Sequence, residues 1–164
     1  MVTSPRALFA ALCALALTTS GCDLLDSGDD GLSGDDLDRL ENLVDCNDVE
    51  AVDLNDTVTG DLDGGDCTLE ELTNGSDLSL ADFYAFRVED DNVDIEIEME
   101  GESGDIDPYL YLIDDDGDVI ASDDDGGGGT DARITDTVDS GIYIVVANTV
   151  ADGQEGEYTL RIRD

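Results

Sequence analysis

The chain has no histidine, no tryptophan and no lysine. Without imidazole, neither a Ser-His-Asp nor a Cys-His arrangement can be assembled, nor a zinc site with histidine ligands. Without indole, there is no tryptophan to stack against a sugar ring. Positive charge is scarce: six arginines face 44 acids, for a formal charge of −38. Such a polyanion is repelled by phosphate backbones and by anionic headgroups, which excludes nucleic acid and bare anionic lipid as partners. Long apolar runs are missing too. The longest, Ala7–Leu17, is well short of the roughly 20 residues that a bilayer-crossing helix needs.

What is present begins with that run. Arg6 precedes it, and Thr18, Thr19, Ser20 and Gly21 lead from it to Cys22, the charged, apolar and small-residue order of a secretory signal. The segment ending in Ser-Gly-Cys resembles the lipobox of bacterial lipoproteins, with Thr19 where that family usually has leucine. The resemblance implies a signal peptide over residues 1–21, lipidation of Cys22 and a protein anchored to the membrane by lipid, on the periplasmic or outer side of the envelope. An ordinary signal peptide is the alternative. Cleavage before Cys22 would remove Arg6 and no acid, changing the charge from −38 to −39. Cys13 would leave with the signal, so Cys46 and Cys67 are expected to pair in an oxidising compartment. Two reduced thiols are the alternative.

Aspartate outnumbers glutamate about threefold, and every basic residue is arginine. Two carboxylates about 6 Å apart repel by roughly 0.7 kcal/mol in water, so many such pairs rival the ~5–15 kcal/mol that holds a domain together. Salt near 1 M shortens the screening length to about 3 Å and removes most of that repulsion. The composition resembles that of halophile proteins, and a fold that loosens at low ionic strength is expected.

Residues 23–36 are rich in Asp, Gly and Ser and read as a tether. Leu37, Leu40 and Val44 follow at helical spacing with Ser33 as a candidate cap, so residues 22–46 are either tether throughout or tether plus a short helix. From residue 47 to 164 the pattern becomes alternating. Val93, Ile95, Ile97 and Met99 interleave with acids, and Tyr84, Phe86 and Val88, like Tyr158, Leu160 and Ile162, fall at every second position; each set marks one face of a strand. Tyr109–Ile113 and Ile142–Ala147 are apolar at both parities and predict strands covered on both sides. With Thr57–Leu62, Val119–Ala121 and Ala132–Val138 the count reaches about eight, separated by turn signals such as Asp116-Gly117 and Asp152-Gly153. Many short strands with regular turns predict an all-β antiparallel sandwich.

The order of these pieces resembles the bacterial pre-peptidase C-terminal domain. Asp82-Phe-Tyr-Ala-Phe86 matches its Asp-x-Tyr-x-Phe strand. Asp107-Pro-Tyr-Leu-Tyr-Leu112 with Asp116-Gly117 matches its Asp-x-x-Leu-x-Leu strand and turn. Ala121 to Gly129, Asp131-Ala-Arg-Ile134, Gly141-Ile-Tyr143 and Gly156-Glu-Tyr-Thr-Leu160 complete the series, and Thr57–Leu62 with Asp66-Cys67 resembles its opening strand. The resemblance implies a jelly-roll sandwich of the kind appended to exported enzymes, with relatives that bind calcium, fibrous proteins or polysaccharide. The residues ahead of it carry no peptidase motif, so the appended role is not carried over.

Calcium needs six to eight hard oxygens, which aspartate-rich loops supply. Asp105, Asp107, Asp124, Asp125 and Asp131 are the candidate ligands; a solvated acidic coat is the competing reading. Paired carboxylates can in principle hydrolyse glycosides, but in so acidic a chain such pairs arise without function, and no enzyme is expected. Tyr109, Tyr111, Tyr143 and Tyr158 are either sheet packing or a binding surface, and Arg87, Arg133, Arg161 and Arg163 are expected as cross-strand partners of outward acids. The expected function is a binding or accessory module for a protein or polysaccharide, with a ligand-free envelope spacer as the alternative.

Overall fold

The structure is a computed structural model that describes residues 31–46, 48–70, 77–102 and 105–164. The expected signal peptide, Cys22 and most of the tether lie outside the described residues. Among the described residues one helix, α1 (Gly34–Val44), precedes ten strands: β1 (Val49–Ala51), β2 (Thr57–Leu62), β3 (Cys67–Thr68), β4 (Leu80–Val88), β5 (Val93–Gly101), β6 (Pro108–Asp114), β7 (Val119–Asp123), β8 (Ala132–Val138), β9 (Gly141–Thr149) and β10 (Gly156–Arg163). One sheet has the order β1-β4-β9-β6-β7, with β3 also pairing β4; the other has the order β2-β10-β5-β8. Setting aside the short β1 and β3, eight strands remain, the number expected. Numbered first to eighth along the chain, they run 1-8-3-6 in one sheet and 2-7-4-5 in the other, the interleaving of a jelly roll.

Period-two patterning explains the central layer. Ile95, Ile97 and Met99 of β5, Tyr158, Leu160 and Ile162 of β10, and Phe86 and Val88 of β4 all enter one buried cluster between the sheets. Strand β9 is apolar at both parities because it has two cores to serve. Tyr143, Val145 and Ala147 point between the sheets, while Ile142, Ile144 and Val146 join a second cluster on the outer face with Phe83, Ala85 and Ile113.

That outer cluster is closed by α1, so the protein has a third, partial layer. Ser33 caps the helix reciprocally with Asp36, which satisfies two of the free amides of the first turn. Leu40 and Val44 are buried and Leu37 and Leu43 pack beside them. The helix is fastened at three points. Arg87 Nε donates to Gly31 O at 2.7 Å, Arg39 bonds Asp115 O at 2.9 Å, and the expected disulfide joins Cys46 to Cys67 across 21 residues. Residues 34–46 are therefore part of the folded body rather than tether. No helix among the described residues is long and apolar enough to cross a membrane.

Candidate functional site

Two clefts open where β2 lies beside β1 and β4. One, of about 490 Å³, is lined by Thr59, Gly60, Asp61, Glu102, Glu157 and Tyr158. The other, of about 190 Å³, is lined by Asp48, Glu50, Thr59, Gly60, Asp82, Phe83 and Tyr84. Thr59 and Gly60 form the wall they share. Gly60 is required there because a Cβ would stand 2.2 Å from the Tyr158 ring. Behind the wall runs a chain of polar groups. Tyr158 donates its hydroxyl to Asp82 Oδ2 at 2.5 Å, and the Tyr84 and Tyr158 hydroxyls are 2.7 Å apart. With Tyr158 donating to the carboxylate, Tyr84 donates to Tyr158. Burial raises both phenols above the usual tyrosine range. Burial also pushes the Asp82 carboxyl up to about 6, against the bond from Tyr158 and with help from Asp66, Asp48 and Glu50.

A second feature lies on the six-stranded sheet two strands across from β4. Tyr109 and Tyr111, two residues apart on β6, turn neighbouring half-buried rings outward, centroids 4.8 Å apart and planes at 37°. Tyr109 pairs with Asn148, and that row continues to Ala81. Beyond it stand Leu78 and Val150, 52% and 50% exposed. Val150 N donates to Asp107 O at 2.9 Å and Leu78 N to Asp152 Oδ1 at 3.4 Å, which brings these segments to one ledge. Tyr111 reaches the cluster under α1, and burial first, then its Tyr109 and Asp77 neighbours, pushes its hydroxyl up to about 12. Of the other two predicted tyrosines, Tyr143 and Tyr158 are core residues.

Asp105 and Asp107 precede β6, and Asp124, Asp125 and Asp131 belong to the β7–β8 connection. That connection is organised by its own bonds: Asp123 Oδ2 accepts from Gly126 N at 2.6 Å and from Arg133 N at 2.8 Å, and Gly127 N donates to Asp131 O at 2.8 Å. Among the described residues no group of three or more potential metal-ligating side chains is gathered. The arginines behave as expected with one exception. Arg133, Arg161 and Arg163 pair with Glu96, Glu98 and Glu100 across β8, β5 and β10, whereas Arg87 turns to Asp36 of the helix at 3.4 Å. The Asp82–Tyr158 contact escaped the sequence because its partners are 76 residues apart. Only the tyrosine's place on a core-facing parity hinted at it.

Fold and surfaces together define a disulfide-bonded jelly-roll module with a helical cap. The chain belongs to the bacterial pre-peptidase C-terminal domain family, whose model matches residues 80–164. The expected resemblance reached farther upstream; α1 and β1 to β3 lie outside the family match. Among solved structures, the pre-peptidase C-terminal domain of collagenase from Bacillus anthracis is similar at 22% identity and TM-score 0.54, covering 70% of this chain and 94% of that one. A periplasmic inhibitor of g-type lysozyme, PliG from Aeromonas hydrophila, aligns at 10% identity and TM-score 0.45 over 70% of this chain and 96% of that one. A comparison with curated proteins finds no match. The disulfide and the family fit an exported protein.

Proposed function

We propose that this chain is a non-catalytic exported lipoprotein whose sandwich presents the Tyr109–Tyr111 ledge to a protein or polysaccharide partner at the cell envelope. One observation carries the reading: the way into the domain and the ledge lie at opposite ends of the same sheet. Gly31 rests on Arg87, at one end of β4, while the Tyr109 row meets β4 at Ala81. Six residues of extended strand separate the two, roughly 20 Å. A chain anchored through Cys22 and entering at Gly31 would therefore carry the ledge away from the membrane. Paired tyrosines beside exposed aliphatic groups supply rigid amphipathic contact area of the kind that interfaces favour.

Retention of the mature protein on fibrous-protein and polysaccharide arrays tests this. Tyr109→Ala with Tyr111→Ala should abolish retention while leaving the circular dichroism spectrum unchanged; retention that survives the double change refutes the ledge. A spacer with no ligand would show no retention for either protein and would instead co-purify with a stoichiometric partner. The anchor has its own test: Cys22→Ser should release the protein from membranes into the soluble fraction. Calcium is proposed as a stabiliser whose ligands Asp105, Asp107, Asp124, Asp125 and Asp131 gather on binding. Calorimetric titration with calcium in about 1 M salt reads this, and heat unchanged by Asp124→Asn with Asp131→Asn would dismiss the set.

A further inference from the structure

The smaller cleft holds a concentration of acid with nothing basic to answer it. Asp82 on β4 faces Asp48 and Glu50 from the β1 segment, Asp66 from the turn before β3, Tyr84 on its own strand and Tyr158 from β10. Asp61 of β2 stands behind Asp66, whose carboxyl burial also raises. All five arginines of the described residues are committed elsewhere, Arg39 to Asp115 of the β6–β7 turn, Arg87 to Asp36 of the helix, and Arg133, Arg161 and Arg163 to the far sheet. The Cys46–Cys67 bond ties the residue ahead of the β1 segment to the start of β3, which pairs with β4 and keeps Asp66 near Asp82, while Asp48 and Glu50 lie beyond that tie.

We propose that Asp82 is the proton-sensing residue of a latch: protonated, it lets the β1 segment close over the cleft, and ionised, it pushes Asp48 and Glu50 away and opens it. The hydroxyl chain suits either state. An ionised carboxylate would accept from Tyr158 across this contact; a protonated one can donate to Tyr158, which then donates to Tyr84. β1 is the natural moving part, because it is three residues long and pairs with the sheet only through Phe83, Tyr84 and Ala85. The direction follows from burial, which raises the carboxyl to about 6 from an ordinary 3.8. Closure is complete at acid pH and is lost as the pH rises through about 6.

Hydrogen exchange of the mature chain in about 1 M NaCl, where surface repulsion is screened, tests the latch. After correction for intrinsic rates, opening of the β1 amides should be about tenfold more frequent at pH about 7.5 than at about 5. Asp82→Asn, which cannot ionise, should stay closed at both. Where that variant fails to fold, Asp48→Asn with Glu50→Gln should bring β1 exchange at the higher pH down toward its acid value. Equal β1 exchange at the two pH values in the unaltered protein overturns the proposal, as does a full tenfold change surviving in Asp82→Asn or in the double variant. The readout is independent of any partner, so failure of the tyrosine ledge leaves the latch standing.

Discussion

The two outer faces of the sandwich are finished by different chemistry. On the six-stranded sheet the outward residues Phe83, Ala85, Ile113, Ile142, Ile144 and Val146 are apolar, and burying them requires a separate cover: α1, with its capping box, two arginine contacts and a disulfide. On the four-stranded sheet the outward residues are charged and satisfy one another. Glu98 lies opposite Arg161 on one neighbour and Arg133 on the other. With Glu96, Glu100 and Arg163 these form a ladder that leaves Glu98 only 7% exposed without any covering element. An apolar face depends on a distant piece of chain, whereas an ionic face is completed by its immediate cross-strand neighbours. The difference also locates the weak side of a highly acidic protein. Charge is balanced locally on the ladder and unbalanced along the β1, β2 and β3 edge.

Low ionic strength should break this comparison most severely. Between about 2 M and 10 mM NaCl, unscreened repulsion should lower the melting temperature by many degrees. Amides of α1 and β1 should exchange before those of β5 and β10, and simultaneous loss of both would show that the ladder confers no local protection. Next in size, replacing Cys46 and Cys67 together by serine should lower stability by about 3 kcal/mol, the loop-closure value for a link of this length, measured by denaturant titration. The same change should raise dye binding by the Phe83 face. Gly60→Ala drives a methyl group into the buried Tyr158 ring and should cost about 1–3 kcal/mol, mostly on the cleft edge, visible as altered near-ultraviolet tyrosine signal.

The smallest effect separates the two faces by pH. The hydrogen bond from Arg133, followed by the charges of Arg133, Arg163 and Arg161, holds the Glu98 carboxyl below its ordinary 4.5. Its contribution is therefore present above about that pH and lost as pH falls below it. Glu98→Gln should remove this acid-side slope of stability and leave the slope of opposite sign, which Asp82 contributes near 6. An unchanged acid-side slope in Glu98→Gln would mean that the ladder lies outside the folding equilibrium.

Much of the architecture was legible in the sequence because period-two alternation is a local property. Val93 to Met99 can be placed inside from seven consecutive residues, and the two-sided apolar run Ile142–Ala147 announced a strand between two cores. The capping residue and the leucines of α1 were legible for the same reason, yet whether the helix docked was not. Amphipathic spacing shows that a face needs burial without showing what will bury it, and here the answer came from Phe83 and Ile144, some forty and a hundred residues farther along. Arg87 illustrates the same limit: its parity placed it outward on β4, but its partner Asp36 belongs to the helix. The candidate site was the least legible part, since Tyr109 and Tyr111 are neighbours on one strand while Leu78 and Val150 reach them only through sheet order.

By itself, the sequence determined the all-β sandwich, the strand faces and the polyanionic character, because each is written in spacing, residue type or charge, while its resemblance to the pre-peptidase C-terminal domain implied the jelly roll. The tertiary structure alone decided that α1 closes the outer sheet, that paired tyrosines and exposed aliphatic residues share one ledge, and that Asp82 meets Tyr158 inside an acidic cleft. Those arrangements depend on contacts between segments far apart in the chain. Only the folded register of two sheets brings them within reach.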